Sequence, residues 1–147
     1  MNSYFDSSLL LAILFDEKRF DDAWNAWNSS EARFSSILLK IETNISLQRY
    51  YKTNVHYFDD IWLNKKEKIL NDLLDDIFYK PIEEPFGNSI AKNKKLAGCK
   101  SLDAIHLGTA LYFRETAKEQ NIILCSFDKN MLKIAKELGF ETNAPTF

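Results

Sequence analysis

The chain has 147 residues, of which 46% are hydrophobic and 27% are charged, and its formal net charge at pH 7 is −2. These values are ordinary for one globular domain, expected to span residues 1–147, and they argue against a protein that holds a nucleic-acid backbone by net charge alone. Two cysteines are too few for a disulfide scaffold, and no apolar stretch approaches the roughly 20 residues that span a bilayer, so a reducing cytoplasm is the expected location.

The first half of the chain alternates short strand-like runs with helical patterns. Its predicted strands are Ser3–Asp6 and Arg33–Ser36. Its predicted helices are Ser7–Phe15, Phe20–Asn28, Ile37–Tyr51 and Tyr57–Asp75. The apolar run Leu9–Phe15 follows an aspartate rather than basic residues, so we do not expect it to be a signal peptide.

The second half of the chain repeats this alternation. Its predicted strands are Ile77–Ile82, Ile122–Ser126 and Phe140–Thr142. Its predicted helices are Ser89–Leu96, Ser101–Glu119 and Lys129–Leu138, the last with Gly139 at its C-cap. Strands that alternate with helices in this way indicate an α/β fold with a mostly parallel sheet.

Two aspartates occupy equivalent positions, each between a predicted strand and the helix that follows it. Asp6 ends the first strand, and Asp128 comes just after the strand Ile122–Ser126. Aspartate is a favoured N-cap residue, so helix capping is one explanation for both. The carboxyl ends of parallel strands are also where ligand sites gather, and one aspartate can cap a helix and bind a cation together. Both explanations stay open here.

Glu42 is predicted to lie on the apolar face of its helix. Its neighbours three and four residues away are Leu38, Leu39, Ile45 and Ser46. A glutamate is seldom found on such a face unless it is paired, because burying an unpaired carboxylate is costly. A structural salt bridge to Arg49, two turns further on, is the alternative to a functional role.

Asp103 is the only formally charged residue between Ser101 and Phe113. The helix dipole favours an acidic residue in the first turn of a helix by about 0.3–1 kcal/mol. This effect accounts for an aspartate near the helix start, but not for surroundings that are rich in Leu, Ala, Ile, Gly and Thr. The small residues of this helix predict close packing against the sheet.

Together, these residues predict one acidic metal site formed by Asp6, Glu42, Asp103 and Asp128. Clustered carboxylates raise one another's pKa and repel one another unless a cation neutralises them. Ligand sets made only of oxygen atoms suit hard ions such as Mg²⁺ or Mn²⁺. Such ions lower the pKa of a coordinated water.

Four segments of the chain resemble PIN-domain proteins. They are Tyr4-Phe5-Asp6-Ser7-Ser8-Leu9-Leu10, Leu38-Leu39-Lys40-Ile41-Glu42, Ser101-Leu102-Asp103-Ala104-Ile105-His106-Leu107-Gly108-Thr109-Ala110-Leu111, and Cys125-Ser126-Phe127-Asp128 with Leu138-Gly139-Phe140 and Pro145. Within that family, the short single-domain form is similar to VapC-type toxins of toxin–antitoxin pairs. The resemblance implies a PIN-like three-layer sandwich, in which helices flank a mostly parallel sheet of about four to five strands.

The same resemblance implies an activity, a cofactor and partners. The activity is that of an endoribonuclease that depends on Mg²⁺ or Mn²⁺, and the partners are a protein antitoxin and usually a second copy of the chain. Asp6 and Asp103 would be the principal metal ligands, and Glu42 and Asp128 would complete the acidic site.

The family pattern also bears on the role of two serines and on one segment that departs from it. Ser8 and Ser126 lie where the family often has Ser, Thr or Asn, so we expect them to donate orienting hydrogen bonds. The segment Asn54–Asp76 departs from the pattern because it is long and charged. The helix register and the partner surface in that segment therefore stay open.

The densest basic stretch of the chain precedes the Asp103 helix. An acidic pocket repels RNA until it is loaded with metal, so the substrate must be held by other residues. The predicted RNA contacts are Lys92, Lys94, Lys95 and Lys100. A solvated charged surface is the alternative for any single lysine, and Arg33, Arg49 and Lys52 are secondary candidates.

Some conspicuous residues are predicted to have structural roles. His106 lies one turn after Asp103, and we expect it to pack or to support the site rather than to bind metal. Trp24 and Trp27 are expected to pack in the core or in an interface rather than to stack on bases. Cys125 lies in an apolar run and is expected to be a core thiol.

Two other classes of function compete with a nuclease. One is a non-catalytic module that keeps the fold and binds protein or RNA. The other is a different acidic α/β enzyme, such as a phosphatase or a phospho-receiver domain. The latter need an Asp-x-Asp pair or an acidic doublet, and Asp6 is followed instead by Ser7 and Ser8. The chain has no G-x-G-x-x-G stretch, which excludes dinucleotide binding of that kind.

Overall fold

The computed structural model describes residues 1–117 and 121–143, and within them it has five strands and seven α-helices. The strands are β1 (Asn2–Phe5), β2 (Ala32–Ser36), β3 (Phe78–Lys80), β4 (Ile122–Cys125) and β5 (Glu141–Thr142). The helices are α1 (Ser7–Leu14), α2 (Phe20–Asn28), α3 (Leu38–Thr53), α4 (Asp60–Asp75), α5 (Glu84–Ala91), α6 (Ser101–Thr116) and α7 (Lys129–Glu137). Within the described residues, no helix combines the length and the apolar character that a bilayer crossing requires.

The strands form one parallel sheet in the order β3-β2-β1-β4-β5. The central strand is β1, in which Tyr4 lies opposite Phe34 of β2 and Leu124 of β4. Every residue of β1 is buried, as expected for a parallel strand that is covered on both faces. The predicted α/β sandwich with a mostly parallel sheet is confirmed. Because the strands run in the same direction, their carboxyl ends lie along one edge of the sheet.

The core is divided into two layers, one on each face of the sheet. Successive side chains of a strand point to opposite faces. Phe5 belongs to a hydrophobic cluster with Trp27 and other residues of α1 to α4. Tyr4 belongs to a second cluster with Met131 and other residues of α5, α6 and α7. The prediction that Cys125 is a core thiol is confirmed, and burial raises its pKa to about 12.

The helix predicted at Ser89–Leu96 is wrong in both of its bounds. The observed helix α5 begins at Glu84, with Pro85 in the first turn, where the fixed φ of proline and its missing N–H are tolerated. It ends at Ala91, and a separate 3₁₀ turn follows at Lys94–Leu96. The basic stretch therefore lies after the helix rather than on it.

Other predicted elements differ from the structure only at their ends. Helix α4 begins later than expected because Asp59 accepts a hydrogen bond from the backbone N of Trp62 and caps the helix there. The strand predicted at Ile77–Ile82 is reduced to the shorter β3. The predicted helix end at Glu119 and the family residue Pro145 lie outside the described residues.

Two glycines occupy positions that a larger residue could not adopt without strain. Gly139 ends α7 with a φ of +88°, which confirms the predicted C-cap glycine. Gly108 lies on α6, where a Cβ atom would come within 2.7 Å of Cγ1 of Ile90 on α5. The small residues of α6 were expected to pack against the sheet, but at Gly108 the close neighbour is another helix.

Candidate active site

An acidic cavity of about 530 Å³ lies at the carboxyl edge of the sheet, and all four predicted carboxylates line it. Asp6 directly follows β1, and Asp128 precedes α7 after the adjacent strand β4. Glu42 comes from α3 and Asp103 from the first turn of α6. We call this the acidic cavity; its other lining residues are Ser7, Ser8, Lys100, Ser101, Leu102, His106, Asn130 and Met131.

Asp6 is the most buried of the four carboxylates, with 4% of its surface exposed. Its Oδ1 accepts hydrogen bonds from the backbone N of Ser8 at 3.0 Å and from the Ser8 hydroxyl at 2.5 Å. Its Oδ2 accepts a hydrogen bond from the hydroxyl of Ser126 at 2.5 Å. Asp6 therefore caps α1 and is held in the wall of the cavity by the same contacts.

Ser8 and Ser126 connect the start of α1 to the turn between β4 and α7. Each hydroxyl donates to Asp6 and accepts a backbone N–H in return. Ser8 Oγ accepts from the N of Phe127 at 2.9 Å, and Ser126 Oγ accepts from the N of Asp128 at 2.9 Å. The orienting hydrogen bonds predicted for both serines are present. Because each hydroxyl is itself held by the backbone, both oxygens of Asp6 have fixed directions.

The charge state of Asp6 is set by opposing effects. Burial raises its pKa above the ordinary value for an aspartate. The nearby His106 and the hydrogen bonds from Ser126 and Ser8 lower it in part. The net direction is upward, because the effect of burial on the pKa outweighs that of these contacts. A nearby cation would favour the ionised form.

Asp128 is an exposed N-cap on the rim of the acidic cavity. Its Oδ1 accepts hydrogen bonds from the backbone N atoms of Asn130 at 2.9 Å and Met131 at 3.0 Å. The capping explanation therefore applies to Asp128 as well as to Asp6. Capping engages one oxygen, so it does not prevent the other from facing a ligand.

Asp103 differs from the two capping aspartates in its hydrogen bonding. In the part of the chain that the structure describes, no group donates a hydrogen bond to it. Burial raises its pKa first, and the charges of Asp128 and Glu42 raise it further. The charges of His106 and Lys100 act in the opposite direction. The pKa of Asp103 thus depends on both the acidic and the basic side chains around the cavity.

Glu42 is paired with a histidine rather than with the arginine that the sequence offered. Its Oε1 lies 2.6 Å from Nε2 of His106, and its side chain is 20% exposed. The alternative salt bridge to Arg49 is not formed. The contact brings His106 into the site as a support for a carboxylate, in agreement with the structural role expected for it.

The prediction that Glu42 lies on the apolar face of its helix needs a correction. The buried face of α3 includes Leu39, Thr43 and Leu47, whereas Ile45 is 51% exposed. Glu42 therefore lies at the border between the buried and the exposed face. The prediction was wrong because it treated all the apolar neighbours of Glu42 as buried, whereas only some of them point into the core.

Tyr4 is a residue of the site that the sequence analysis missed. Its hydroxyl lies 2.8 Å from Nδ1 of His106, and both side chains are buried. A tyrosine that is buried in a central strand needs a partner for its hydroxyl, and this requirement was the available signal. The sequence could not identify that partner, because 102 residues separate the two.

The donor atoms of the cavity suit a hard divalent cation, although they do not form a ready-made cluster. Within residues 1–117 and 121–143, no group of three or more His, Cys, Asp or Glu side chains is close enough to hold one ion. Mg²⁺ usually keeps several waters and binds through one or two carboxylates, so such a cluster is not required. Four carboxylates around one cavity, all offering oxygen, therefore fit Mg²⁺ or Mn²⁺ by their chemistry.

The four predicted RNA-contacting lysines are exposed but differ in their positions. Lys100 lines the acidic cavity itself. Lys92 and Lys94 line a neighbouring cavity of about 490 Å³, which shares Ser101 with the acidic cavity. Lys95 lines neither of these two cavities. Lys100 thus shares a cavity with the carboxylates, and Lys92 and Lys94 line the cavity next to it.

The remaining candidates have structural contacts. Arg33 donates to the carbonyl oxygen of Trp27 at 2.8 Å and lies over its ring, which argues against its secondary role in RNA binding. Trp27 packs in the core as expected, whereas Trp24 is 40% exposed and stacks on Phe20. Arg49 lines a separate cavity on α3 rather than the acidic one.

Comparisons with known proteins agree with this architecture. The family described as PIN domain matches residues 3–137. A comparison with curated proteins gives no significant match. Among solved structures, the crystal structure of PAE2754 from Pyrobaculum aerophilum is similar, with a TM-score of 0.63 and 16% sequence identity over 97% of this chain and 84% of that chain. At this level of identity, the likeness shows the fold alone.

Proposed function

This chain belongs to the PIN-domain family, and from that membership we propose that it is a divalent-metal-dependent endoribonuclease. PIN domains are generally nucleases. The observation that carries the proposal is the convergence of Asp6, Glu42, Asp103 and Asp128 on one cavity. Capping explains why two of these residues are aspartates, but it does not explain why Glu42 and Asp103 face the same space.

Asp6 and Asp103 are the proposed principal ligands of Mg²⁺ or Mn²⁺, with Glu42 and Asp128 completing the set. The two principal carboxylates have complementary properties. Asp6 is fixed by three hydrogen bonds, so it offers a rigid position. Asp103 accepts no hydrogen bond among the described residues and has a raised pKa, so a neighbouring positive charge would favour its ionised form.

The chemistry is hydrolysis of an RNA phosphodiester bond. Held by these carboxylates, Mg²⁺ or Mn²⁺ would supply an activated water and would stabilise negative charge on the leaving oxygen. The residues of the chain hold the carboxylates in place: Ser8 and Ser126 orient Asp6, and His106 donates to Glu42. Preorganised groups of this kind reduce the rearrangement that the transition state requires.

The substrate is proposed to lie across the rim of the acidic cavity. Lys100 can neutralise a phosphate there, because it lines the cavity and is exposed. Lys92 and Lys94 extend the positive charge along the neighbouring cavity. Contacts with phosphates position a nucleic acid without selecting its sequence.

We also propose that the chain is the toxin of a toxin–antitoxin pair, with a cognate antitoxin protein, a homodimeric state and a location in the cytoplasm. Large apolar side chains are exposed on α3 and α4, among them Ile41, Ile45 and Ile61, and surfaces of this kind are often covered by a protein partner. The two free cysteines, Cys99 and Cys125, are compatible with a reducing compartment.

The second candidate function is a non-catalytic PIN-like module that binds protein or RNA. The observation in its favour is that, in the described ranges, no three potential ligands are already close enough to hold an ion. Such a module would bind RNA or a protein with no dependence on Mg²⁺ or Mn²⁺. It would also tolerate the loss of Asp6 or Asp103 apart from effects on stability.

The deciding experiment is cleavage of a structured RNA by the purified chain in Mg²⁺, in Mn²⁺ and in EDTA. Asp6→Ala and Asp103→Asn are the test variants, and Glu115→Gln is the matched control, since Glu115 lies on α6 outside the acidic cavity. We expect cleavage in both metals and its loss in EDTA and in the two test variants. In parallel, Mn²⁺ at 100 times its Kd should stabilise the wild type by about 2.7 kcal/mol. Cleavage that persists in EDTA or in Asp6→Ala would overturn the proposal.

A further inference from the structure

A buried chain of hydrogen bonds runs from β2 to Glu42. The backbone N of Ser36 donates to the hydroxyl oxygen of Tyr4 at 3.1 Å. The same hydroxyl lies 2.8 Å from Nδ1 of His106, and Nε2 of His106 lies 2.6 Å from Oε1 of Glu42. Ser36 and Tyr4 have no exposed surface, and His106 is 2% exposed. The chain thus connects the core of the sheet to one carboxylate of the acidic cavity.

In either protonation state of His106, Nε2–H donates to Glu42, and when the imidazole is neutral the partners along this chain determine the direction of every hydrogen bond. The Tyr4 oxygen accepts from the Ser36 N–H, so its own hydrogen can be donated to Nδ1 of His106. A neutral imidazole that accepts at Nδ1 carries its proton on Nε2. Nε2–H then donates to Glu42. Consistent with this assignment, none of the buried side-chain nitrogen and oxygen atoms in the described residues lacks a partner.

The chain also connects the elements next to Asp6 and Asp103. Tyr4 precedes Asp6 by two residues at the end of β1, and His106 follows Asp103 by one turn of α6. Glu42 projects from a third element, α3, at the border of its buried face. A flexible glutamate at such a border has several accessible rotamers, so a fixed donor is needed to keep it in one of them.

We propose that His106 is a positioning residue, which holds Glu42 in the orientation that a divalent cation in the acidic cavity requires, and that Tyr4 holds the imidazole in turn. The inference rests on the proposed function, because it assigns a purpose to the orientation of Glu42. Oε1 is engaged by the imidazole, so Oε2 is the oxygen that can turn toward a cation. Carboxylate ligands of metals are commonly fixed by a second group in this way.

The competing explanation is that Glu42 and His106 form a pair that only stabilises the packing of α3 against α6. Both explanations predict that loss of the contact lowers stability. They differ in cation binding, because a packing contact has no reason to act on Mn²⁺ through Glu42. The test must therefore measure Mn²⁺ affinity in variants that remain folded.

Two amide variants separate the two nitrogens of His106. In His106→Gln, the amide nitrogen reaches the region of Nε2 and can still donate to Glu42. In His106→Asn, the side chain is one methylene shorter, so its amide stays near Nδ1 and Tyr4. We expect the Mn²⁺ Kd from isothermal titration calorimetry to rise about 10- to 100-fold in His106→Asn and to change only a few-fold in His106→Gln. Circular dichroism and thermal unfolding would verify that each variant is folded.

A second comparison tests whether His106 acts through Glu42. In a Glu42→Gln background, the substitution His106→Asn should cause little further loss of Mn²⁺ affinity, because the carboxylate it positions is absent. Tyr4→Phe should weaken Mn²⁺ binding by a smaller factor, and it serves in place of His106→Asn if that variant fails to fold.

Each result supports or overturns the inference. Equal Mn²⁺ affinities in His106→Asn and His106→Gln would overturn it, as would a full additional loss in the Glu42→Gln background. If His106→Asn does not fold, an unchanged Kd in Tyr4→Phe would overturn it. A wild-type chain that binds Mn²⁺ and cleaves RNA, with variants that differ as stated, would support it. A wild type that does neither would overturn the proposed function and this inference with it.

Discussion

The hydroxyl of Ser126 lies 2.5 Å from Oδ2 of Asp6, although 120 residues separate the two in the sequence. This contact joins the carboxyl ends of β1 and β4, which are neighbours in the sheet. Ser8 completes the arrangement from the other side, since its hydroxyl donates to Oδ1 of Asp6. The most buried carboxylate of the cavity is therefore held by two chain segments that only the fold brings together.

Removing the Ser126 hydroxyl should affect both stability and activity. Ser126→Ala takes one of three hydrogen bonds from a buried carboxylate and leaves the N–H of Asp128 without its acceptor. We expect a loss of about 1.5–3 kcal/mol in the free energy of unfolding, because hydrogen bonds to charged groups are the stronger ones. Urea denaturation would measure this loss, and RNA cleavage should fall with it. Ser89→Ala, at an exposed serine, is the control and should change stability by less than about 0.5 kcal/mol.

Replacing Asp103 should have opposite effects on activity and stability. Asp103→Asn removes a partly buried charge that Asp128 and Glu42 repel and that no hydrogen bond compensates. We expect RNA cleavage to be lost while the melting temperature rises by no more than about 2–4 °C, because the carboxylate is partly exposed and solvent screens the repulsion. Differential scanning calorimetry without added metal would measure the shift. A melting temperature lower than that of the wild type would contradict the repulsion on which this prediction depends.

The stabilisation by Asp103→Asn should depend on pH. The folded-state pKa of Asp103 is raised above its ordinary value of 3.8, chiefly by burial. Below the ordinary pKa the carboxyl is neutral in both states, so the two proteins should be equally stable there. As the pH rises through the raised pKa, the wild type must ionise a disfavoured group and loses stability, whereas the variant does not.

The measurement is the difference in unfolding free energy between Asp103→Asn and the wild type, taken at several values between about pH 4 and pH 7.5. We expect this difference to grow with pH and then to level off. Mn²⁺ at a saturating concentration should reduce it, because a bound cation would stabilise the ionised carboxylate of the wild type. A difference that falls as the pH rises would refute the upward direction of the shift.

Lys100 should contribute to RNA binding through charge. It lines the acidic cavity, whereas Lys68 lies on the exposed face of α4. Lys100→Ala should weaken RNA binding at low salt and reduce the slope of log K against log salt concentration by about 1. Lys68→Ala is the matched control, and its slope should equal that of the wild type. Filter binding with a catalytically inactive Asp6→Ala background would separate binding from cleavage.

The sequence alone determined the elements that surround the site. The boundaries at Asp6 and Asp128 could be predicted because a short apolar strand, a capping aspartate and an apolar helix are all local patterns. The end of α7 at Gly139 followed for the same reason, since a glycine with positive φ is a local requirement. The helix predicted at Ser89–Leu96 was wrong, because the observed helix begins earlier, at Glu84, with Pro85 in its first turn.

Only the tertiary structure decided how the side chains of the site are paired. The sequence suggested Arg49 as the partner of Glu42 because it lies on the same helix, but the partner is His106, 64 residues away. It likewise gave no sign that Tyr4 supports this imidazole. These pairings depend on the order of the strands and on which face each helix presents to the sheet. Local sequence fixes backbone conformation through short-range sterics and capping, whereas contacts across the sheet exist only after non-local packing has positioned both partners.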